Sequence, residues 1–318
     1  MELDQLRYVV AVAETGNFTR AAERSNISQP SLSQQILNLE GEIGHKLFHR
    51  LGRKAVLTEA GGTFLERARR ILFEVENAAK ELSDHPSLDR RIVVGAVPTI
   101  MPYVIAPLIV QCRTTHPNLQ IHAREDFRHA LVRLVAEGDV DLAVVTLPVK
   151  DPRLSVEPLL TEPLLLVVGK HHPFASRQEI DIGDLAEETF VTMGDSSTLA
   201  TQIQGFFGDH NFVPKIGYRC AQVATLKLFV SMGLGISILP QVAHTTDDED
   251  NLVFLRIAGT APTRELAVIR HLQRYQSRGS EQFLSLLREY AKVHSGEGAE
   301  ITRLPRQRTQ PAAPDRPS

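Results

Sequence analysis

Asn17-Phe18-Thr19-Arg20-Ala21-Ala22-Glu23-Arg24-Ser25-Asn26-Ile27-Ser28-Gln29-Pro30-Ser31-Leu32-Ser33-Gln34-Gln35-Ile36 holds two helical patterns separated by a run of turn formers. The first, Phe18 to Arg24, carries Ala21-Ala22 on its inner side. Ser25 to Ser28 make a brief turn. Ser28 then suits an N-cap and Pro30 a first helical turn, while Leu32, Ile36, Leu39 and Ile43 recur at the spacing of one inward helical face. Two short helices joined in this way form a helix-turn-helix, whose later helix is placed to enter a DNA major groove.

Upstream, Leu3, Leu6, Val9, Val10 and Ala13 give a first amphipathic helix over residues 3–12, stopped by Gly16-Asn17. Downstream, residues 47–58 read as two short extended pieces around Gly52, a wing. Thr58-Glu59-Ala60-Gly61 opens a long helix to about Leu82. Its apolar positions Phe64, Ala68, Ile71, Leu72, Val75, Ala79 and Leu82 form one narrow stripe, suited to packing against a twin or against its own domain. Ser83-Asp84-His85-Pro86-Ser87 breaks the helix as a hinge.

At 318 residues the chain exceeds one hydrophobic core. Its 42% hydrophobic and 23% charged residues are those of a globular protein, and no stretch reaches the roughly 18 apolar residues that span a bilayer. Glu2 and Asp4 stand where a secretory signal needs basic charge, so a cytoplasmic location is expected. Two cysteines, Cys112 and Cys220, are too few for a disulfide framework. The net charge of -3 does not advertise a nucleic-acid binder, and residues 1–90 hold 12 basic against 13 acidic side chains. Between His45 and Lys54, however, Lys46, Arg50, Arg53 and Lys54 face no acid in sequence. A local basic edge suffices to hold phosphates, although such a run alone is also an ordinary solvated turn.

From Arg91 onward strand candidates (92–97, 119–124, 142–146, 164–168, 190–193, 215–219, 236–239, 252–255, 266–269) alternate with helical patterns, an α/β arrangement of parallel or mixed sheets covered by helices. A last helix over 280–293 turns Phe283, Leu286, Leu287 and Tyr290 inward. Beyond Ser295, four prolines among Arg, Gln and Ala predict a disordered tail over 295–318. His171-His172 and His244 lack metal-site spacing, and no phosphate loop or dinucleotide fingerprint is present, so no cofactor is expected.

Asn17 to Ala22, Ile27 to Ile36, Leu39-Glu40, Gly44, Leu47-Phe48, Arg50, Leu57-Thr58 and Ala60-Gly61 together resemble the LysR-type helix-turn-helix signature. The rest of the chain also resembles that family, through Gly138-Asp139-Val140-Asp141-Leu142-Ala143 and Gly233-Leu234-Gly235-Ile236-Ser237-Ile238-Leu239-Pro240. The resemblance covers about residues 1–292. It implies an α+β chain: a winged helix-turn-helix DNA-binding domain (1–58), a linker and dimerisation helix (59–82), a hinge (83–90) and an α/β effector-binding domain (91–294). That domain would be a two-lobed, periplasmic-binding-protein-like sensor, with lobe I over 91–162 and 268–292 and lobe II over 163–267. It further implies a transcriptional regulator rather than an enzyme. Its partners would be a double-stranded DNA operator, a small polar or anionic effector between the lobes, further copies in a homotetramer built as a dimer of dimers, and RNA polymerase; none is a membrane.

In such a regulator Gln29, Pro30, Ser31, Ser33 and Gln34 would meet base edges. Gln bridges adenine N6 and N7, Ser donates or accepts, and Pro offers surface for a thymine methyl, so the readout should lean toward A·T pairs. Family members often carry Arg at the place of Gln34, so one guanine or phosphate contact should be missing. Arg20, Arg50 and Arg53 would hold phosphates or reach a minor groove. Outside this context the same Ser/Gln run serves plain capping and solvation. By the family's strand-end positions, the effector would meet Pro98, Thr99, Phe127, Arg128, Thr146, Ser196, Ser197, Thr198, Ala221 and Val223, with the hydroxyls near Thr198 suited to a carboxylate. They equally suit a simple helix cap.

Val94-Gly95-Ala96-Val97-Pro98-Thr99 with Pro102-Tyr103 is similar to the peroxide-sensing OxyR subgroup, yet Thr198 stands where that subgroup has its reactive Cys, and the resolving Cys is absent near Gln204 to Phe207. A hydroxyl cannot run sulfenate-to-disulfide chemistry. The alternatives are a thiol-based regulator using Cys220, or a solute-binding or enzymatic α/β domain fused to a helix-turn-helix.

Overall fold

The computed structural model describes residues 1–52, 54–83, 90–259 and 262–294. Arg53, the tail expected over 295–318 and the hinge expected over 83–90, apart from its end residues, lie outside them. The described residues form two units, Met1–Arg90 with Leu272–Arg278, and Arg91–His271 with Gly279 onward. No helix among them is long and apolar enough to cross a membrane.

The first unit is built from α1 (Leu3–Thr15), α2 (Phe18–Arg24), α3 (Gln29–Ile43), the hairpin β1 (Phe48–Leu51) and β2 (Lys54–Leu57), and α4 (Glu59–Ser83). Local chemistry sets each boundary. The first helix runs past Val12 to Thr15 because Gly16, at φ +61°, is what stops it, with its N–H donating to Val12 O at 2.9 Å. Asn17 caps α2 by accepting from Thr19 N and Arg20 N at 2.8 and 3.1 Å. Ser28 caps α3 by accepting from Ser31 N at 3.2 Å. Leu32, Ile36 and Leu39 are wholly buried with Val9, Val12, Ala21 and Leu47; burial of each large side chain contributes about 2 kcal/mol.

Two devices tie the wing and the long helix to this core. Buried Glu40 accepts from Leu47 N at 2.8 Å, Phe48 N at 3.3 Å and Lys46 Nζ at 3.1 Å, satisfying the backbone where the chain leaves α3 for the wing. Thr58 Oγ1 donates to Lys46 O at 2.6 Å and accepts from Gly61 N at 2.8 Å. At Gly61 the backbones approach so closely that a Cβ would lie 2.0 Å from Leu47 O, so only glycine fits.

The second unit carries β3 (Arg90–Ala96), β4 (Leu119–Glu125), β5 (Leu142–Thr146), β6 (Leu154–Gly169), β7 (Glu179–Ile180), β8 (Thr189–Met193), β9 (Lys215–Cys220), β10 (Ser237–Pro240), β11 (Leu252–Ile257) and β12 (Thr263–His271), with α5 (Ala106–Thr115), α6 (Arg128–Glu137), α7 (Thr198–Asp209), α8 (Val223–Ser231) and α9 (Arg278–His294). The main sheet has the order β4-β3-β5-β12-β6-β11-β7, with β10 also on β6, and β8 pairs with β9 in parallel. Two cores result. One gathers Ile92, Val94, Leu142, Val144, Val268, Phe283 and Leu287; the other gathers Leu166, Val168, Phe190, Ile203, Leu226 and Ile238.

The long β6 passes from one core to the other. Its first part pairs with β12 (Leu154↔His271 to Pro163↔Thr263) and its last with β10 and β11. These are the two crossing strands of a two-lobed α/β sensor. Of β6 the sequence suggested only residues 164–168, and β7 went unmarked. Leu266 packs into the first core, so the return crossing comes earlier than a lobe boundary after 267. A turn of π-helix, Met101–Ile105, leads into α5.

Candidate functional site

In the first unit, the N-terminal end of α3 turns Gln29, Pro30, Ser31 and Gln34 to solvent, with Ser33 half-buried beside them. Ser31 Oγ pairs with Ser28 Oγ at 2.7 Å, and Gln34 Nε2 donates to Asn38 Oδ1 at 2.9 Å along the same helix. Gln29 and Pro30 are exposed beside them. Arg20 is exposed on α2. Arg50, on β1, is exposed but not free: its Nη1 donates to Ser33 Oγ at 2.7 Å, and its guanidinium lies over Phe18, 4.5 Å from the ring centroid. Opposite this face lies the buried stripe of α3, so the helix presents polar groups outward on a rigid support.

In the second unit the strand ends converge on a cluster of hydroxyls around a buried ion pair. Thr99, in the turn after β3, accepts from Arg264 Nη1 at 2.6 Å through Oγ1 and from Nη2 at 3.3 Å through its carbonyl. Arg264 is fully buried on β12, directly across from Glu162 on β6; its Nε donates to Glu162 Oε1 at 2.8 Å and its Nη2 lies 2.6 Å from the same oxygen. Glu162 Oε2 also accepts from Val242 N at 3.1 Å. From β5, Thr146 Oγ1 donates to Thr198 Oγ1 at 2.9 Å, joining the two lobes.

Ser197 is the N-cap residue of α7 and only 7% exposed, yet its hydroxyl makes no capping bond. The first N–H groups of an α-helix have no partner within the helix, and at α7 the N-cap side chain does not supply one. Arg128 donates to Thr146 O at 3.4 Å and Pro148 O at 3.1 Å, so its guanidinium is partly spent on carbonyls. Phe127 and Pro98 are half-buried, and Ser196 and Ala221 are exposed. Val223 departs from expectation: it is buried in the second core and supports α8 from within. Sequence reasoning missed Arg264 and Glu162, the buried ion pair of the cluster.

The cysteines lie in separate cores, Cys112 in the first and Cys220 in the second, and burial pushes both thiols above their usual pKa. A buried thiol of raised pKa is a poor nucleophile, which speaks against the Cys220 redox alternative. Among the described residues no group of His, Cys, Asp or Glu could hold a metal ion.

Residues 3–62 match the family described as "Bacterial regulatory helix-turn-helix protein, lysR family", and residues 85–292 match "LysR substrate binding domain". The chain is 32% identical over 273 residues to the "DNA-binding transcriptional dual regulator OxyR" of Escherichia coli, covering 85% of this chain and 89% of that one. To the "Hca operon transcriptional activator HcaR" of the same species it is 34% identical over 265 residues, covering 83% and 89%. Among solved structures, a full-length OxyR variant from Pseudomonas aeruginosa superposes with a TM-score of 0.69 at 25% identity, covering 92% and 95%. Full-length CbnR in complex with its target DNA gives 0.54 at 25% identity, covering 92% and 100%.

Proposed function

Because the chain belongs to the LysR family of DNA-binding transcriptional regulators, we propose that its operator is read by Gln29, Pro30, Ser31, Ser33 and Gln34 on α3, with Arg20 and Arg50 beside them and Arg53 as a further DNA contact. The observation that carries this reading is the polar, exposed N-terminal end of α3, mounted on a wholly buried face of Leu32, Ile36 and Leu39. The domain divisions drawn from the sequence, at 1–58, 59–82 and 91–294, are part of the same proposal, as is work in the cytoplasm as a dimer of dimers that meets RNA polymerase.

The chain has an effector-binding domain and acts as a regulator rather than an enzyme. We infer that its effector is a small polar or anionic molecule seated between the lobes against Thr99, Thr146, Ser197 and Thr198, with Pro98, Phe127, Arg128, Ser196 and Ala221 around it. Spare hydroxyl protons and the N–H groups at the start of α7 favour an acceptor-bearing ligand such as a carboxylate. With no thiol at Thr198, the response does not run through disulfide exchange.

Two measurements test the proposal. Duplexes selected by the full chain from a randomised library should lose about 1–3 kcal/mol of binding in Gln29→Ala, while a random duplex is barely affected; equal losses on both would remove base readout from α3. A panel of small carboxylates, polyols and amino acids, screened by thermal shift under reducing conditions, should yield a stabiliser whose effect weakens in Thr198→Ala. Hydrogen peroxide replacing the panel as the stimulus, with Cys220→Ser abolishing the response, would overturn the effector reading.

A further inference from the structure

Arg50 leaves the wing and returns to α3. Its Nη1 donates to Ser33 Oγ at 2.7 Å, and its guanidinium lies over the Phe18 ring, 4.5 Å from the centroid. That ring is itself held edge-on by Phe48 at 5.8 Å and packs against the reader's own core. A long arginine is ordinarily a mobile surface charge; here a planar cation is fixed from two sides by stacking and by a hydrogen bond.

We propose that Arg50 is a positioning residue for sequence readout: it biases the Ser33 hydroxyl toward donating, so that Ser33 favours base edges bearing an acceptor over the amino edge of cytosine. A serine hydroxyl has one proton and two lone pairs. The lone pair toward Arg50 is occupied, and the guanidinium charge repels the proton from that side. Ser33 Oγ donates to no acceptor among the described residues. Its proton is therefore aimed away from the wing, on the helix face it shares with Gln29 and Pro30 at i−4 and i−3. In the major groove guanine shows N7 and O6, adenine shows N7, and thymine shows O4, all acceptors; cytosine shows only its N4 amino donor. An unheld serine turns to suit either kind of edge. A held one keeps a single open lone pair, and a base that donates to it leaves the Ser33 proton without a partner, so a donor edge is disfavoured.

This inference rests on the reading that α3 enters the major groove. It differs from a phosphate role for Arg50 in a way experiment separates. The full-length chain and its Arg50→Ala, Arg50→Lys, Ser33→Ala and Arg50→Ala/Ser33→Ala variants are each used to select from a library of randomised duplexes. The pools are sequenced, and the salt dependence of binding to one random duplex is measured, with melting temperature as the fold control. Wild type should deplete cytosine at one position. Arg50→Ala and Arg50→Lys should both restore it about fivefold, the double variant should match Ser33→Ala, and Arg50→Lys, which keeps the charge, should keep the wild-type salt slope. Lysine keeps the charge but loses the planar fork and the stack, so it behaves as alanine here only if positioning is the role. If Arg50→Lys keeps the wild-type pool while Arg50→Ala weakens all sequences alike and lowers the salt slope by about one, Arg50 is a phosphate contact and the proposal is overturned. If Ser33→Ala leaves the pool unchanged while Gln29→Ala alters it, the proposal falls and the groove reading stands; if neither alters it, both fall.

Discussion

Replacing Glu162 by Gln removes the negative half of a pair whose positive half, Arg264, has no access to solvent. The carboxylate accepts from Arg264 Nε at 2.8 Å and from Val242 N at 3.1 Å, and lies 2.6 Å from Arg264 Nη2. Glutamine keeps one oxygen for those donors and turns an amide N–H₂ against another. A buried guanidinium is left uncompensated, at a cost of about 4 kcal/mol. Spread over the roughly two hundred residues of the sensor, that is a fall of about 12 °C in its melting temperature. Differential scanning calorimetry of the full chain should show the sensor transition moving while binding to a random duplex at 20 °C is retained. The double replacement Glu162→Leu with Arg264→Met should cost less than Glu162→Gln alone, because removing both charges leaves none buried and unpaired. A shift below about 3 °C for Glu162→Gln, or a double variant less stable than the single one, would falsify the account of this pair.

The remaining predictions concern pH and close packing. His244 Nδ1 is buried without a hydrogen-bond partner among the described residues, and its ring lies 4.4 Å from that of Phe254. Burial lowers its pKa from the ordinary 6.5, outweighing Asp248 and Glu249, which raise it. The unfolded chain therefore takes up the proton first as pH falls, so sensor stability is present above about pH 6.5 and is lost below it; urea midpoints between about pH 7 and 5 should fall less steeply in His244→Gln, and equal slopes would refute the assignment. Gly61→Ala, by forcing a Cβ against Leu47 O, should cost the DNA-binding unit about 2 kcal/mol, seen as an earlier first transition; an unchanged transition would mean that the backbones separate freely.

The reader was legible because its signals are local. Asn17, Ser28 and Gly44 mark helix ends within a residue, and the stripe of α3 recurs every three or four positions. The sensor's crossing strand was not. In β6, Pro158 and Pro163 lack ladder N–H groups, and Glu157 and Glu162 interrupt the apolar run, so only its far end carried a strand pattern. Arg264 sits between Thr263 and Glu265 and resembles surface. Its burial depends on Glu162 and Thr99, which lie 102 and 165 residues away, and no local spacing encodes such pairing. For the same reason the hold of Arg50 on Ser33, 17 residues apart, emerges only from the folded wing. Val223 read as a cleft residue because strand-end position says where a residue stands and not which way its side chain turns.

The contact at Gly61 welds the start of α4 to the turn between recognition helix and wing, so reader and shaft pivot as one piece. Were two such chains to pair along α4, a displacement of that helix would carry each reading surface with it and leave its shape intact. Half-sites whose spacing and curvature fit the new separation would gain affinity, and every base preference within a half-site would stay the same.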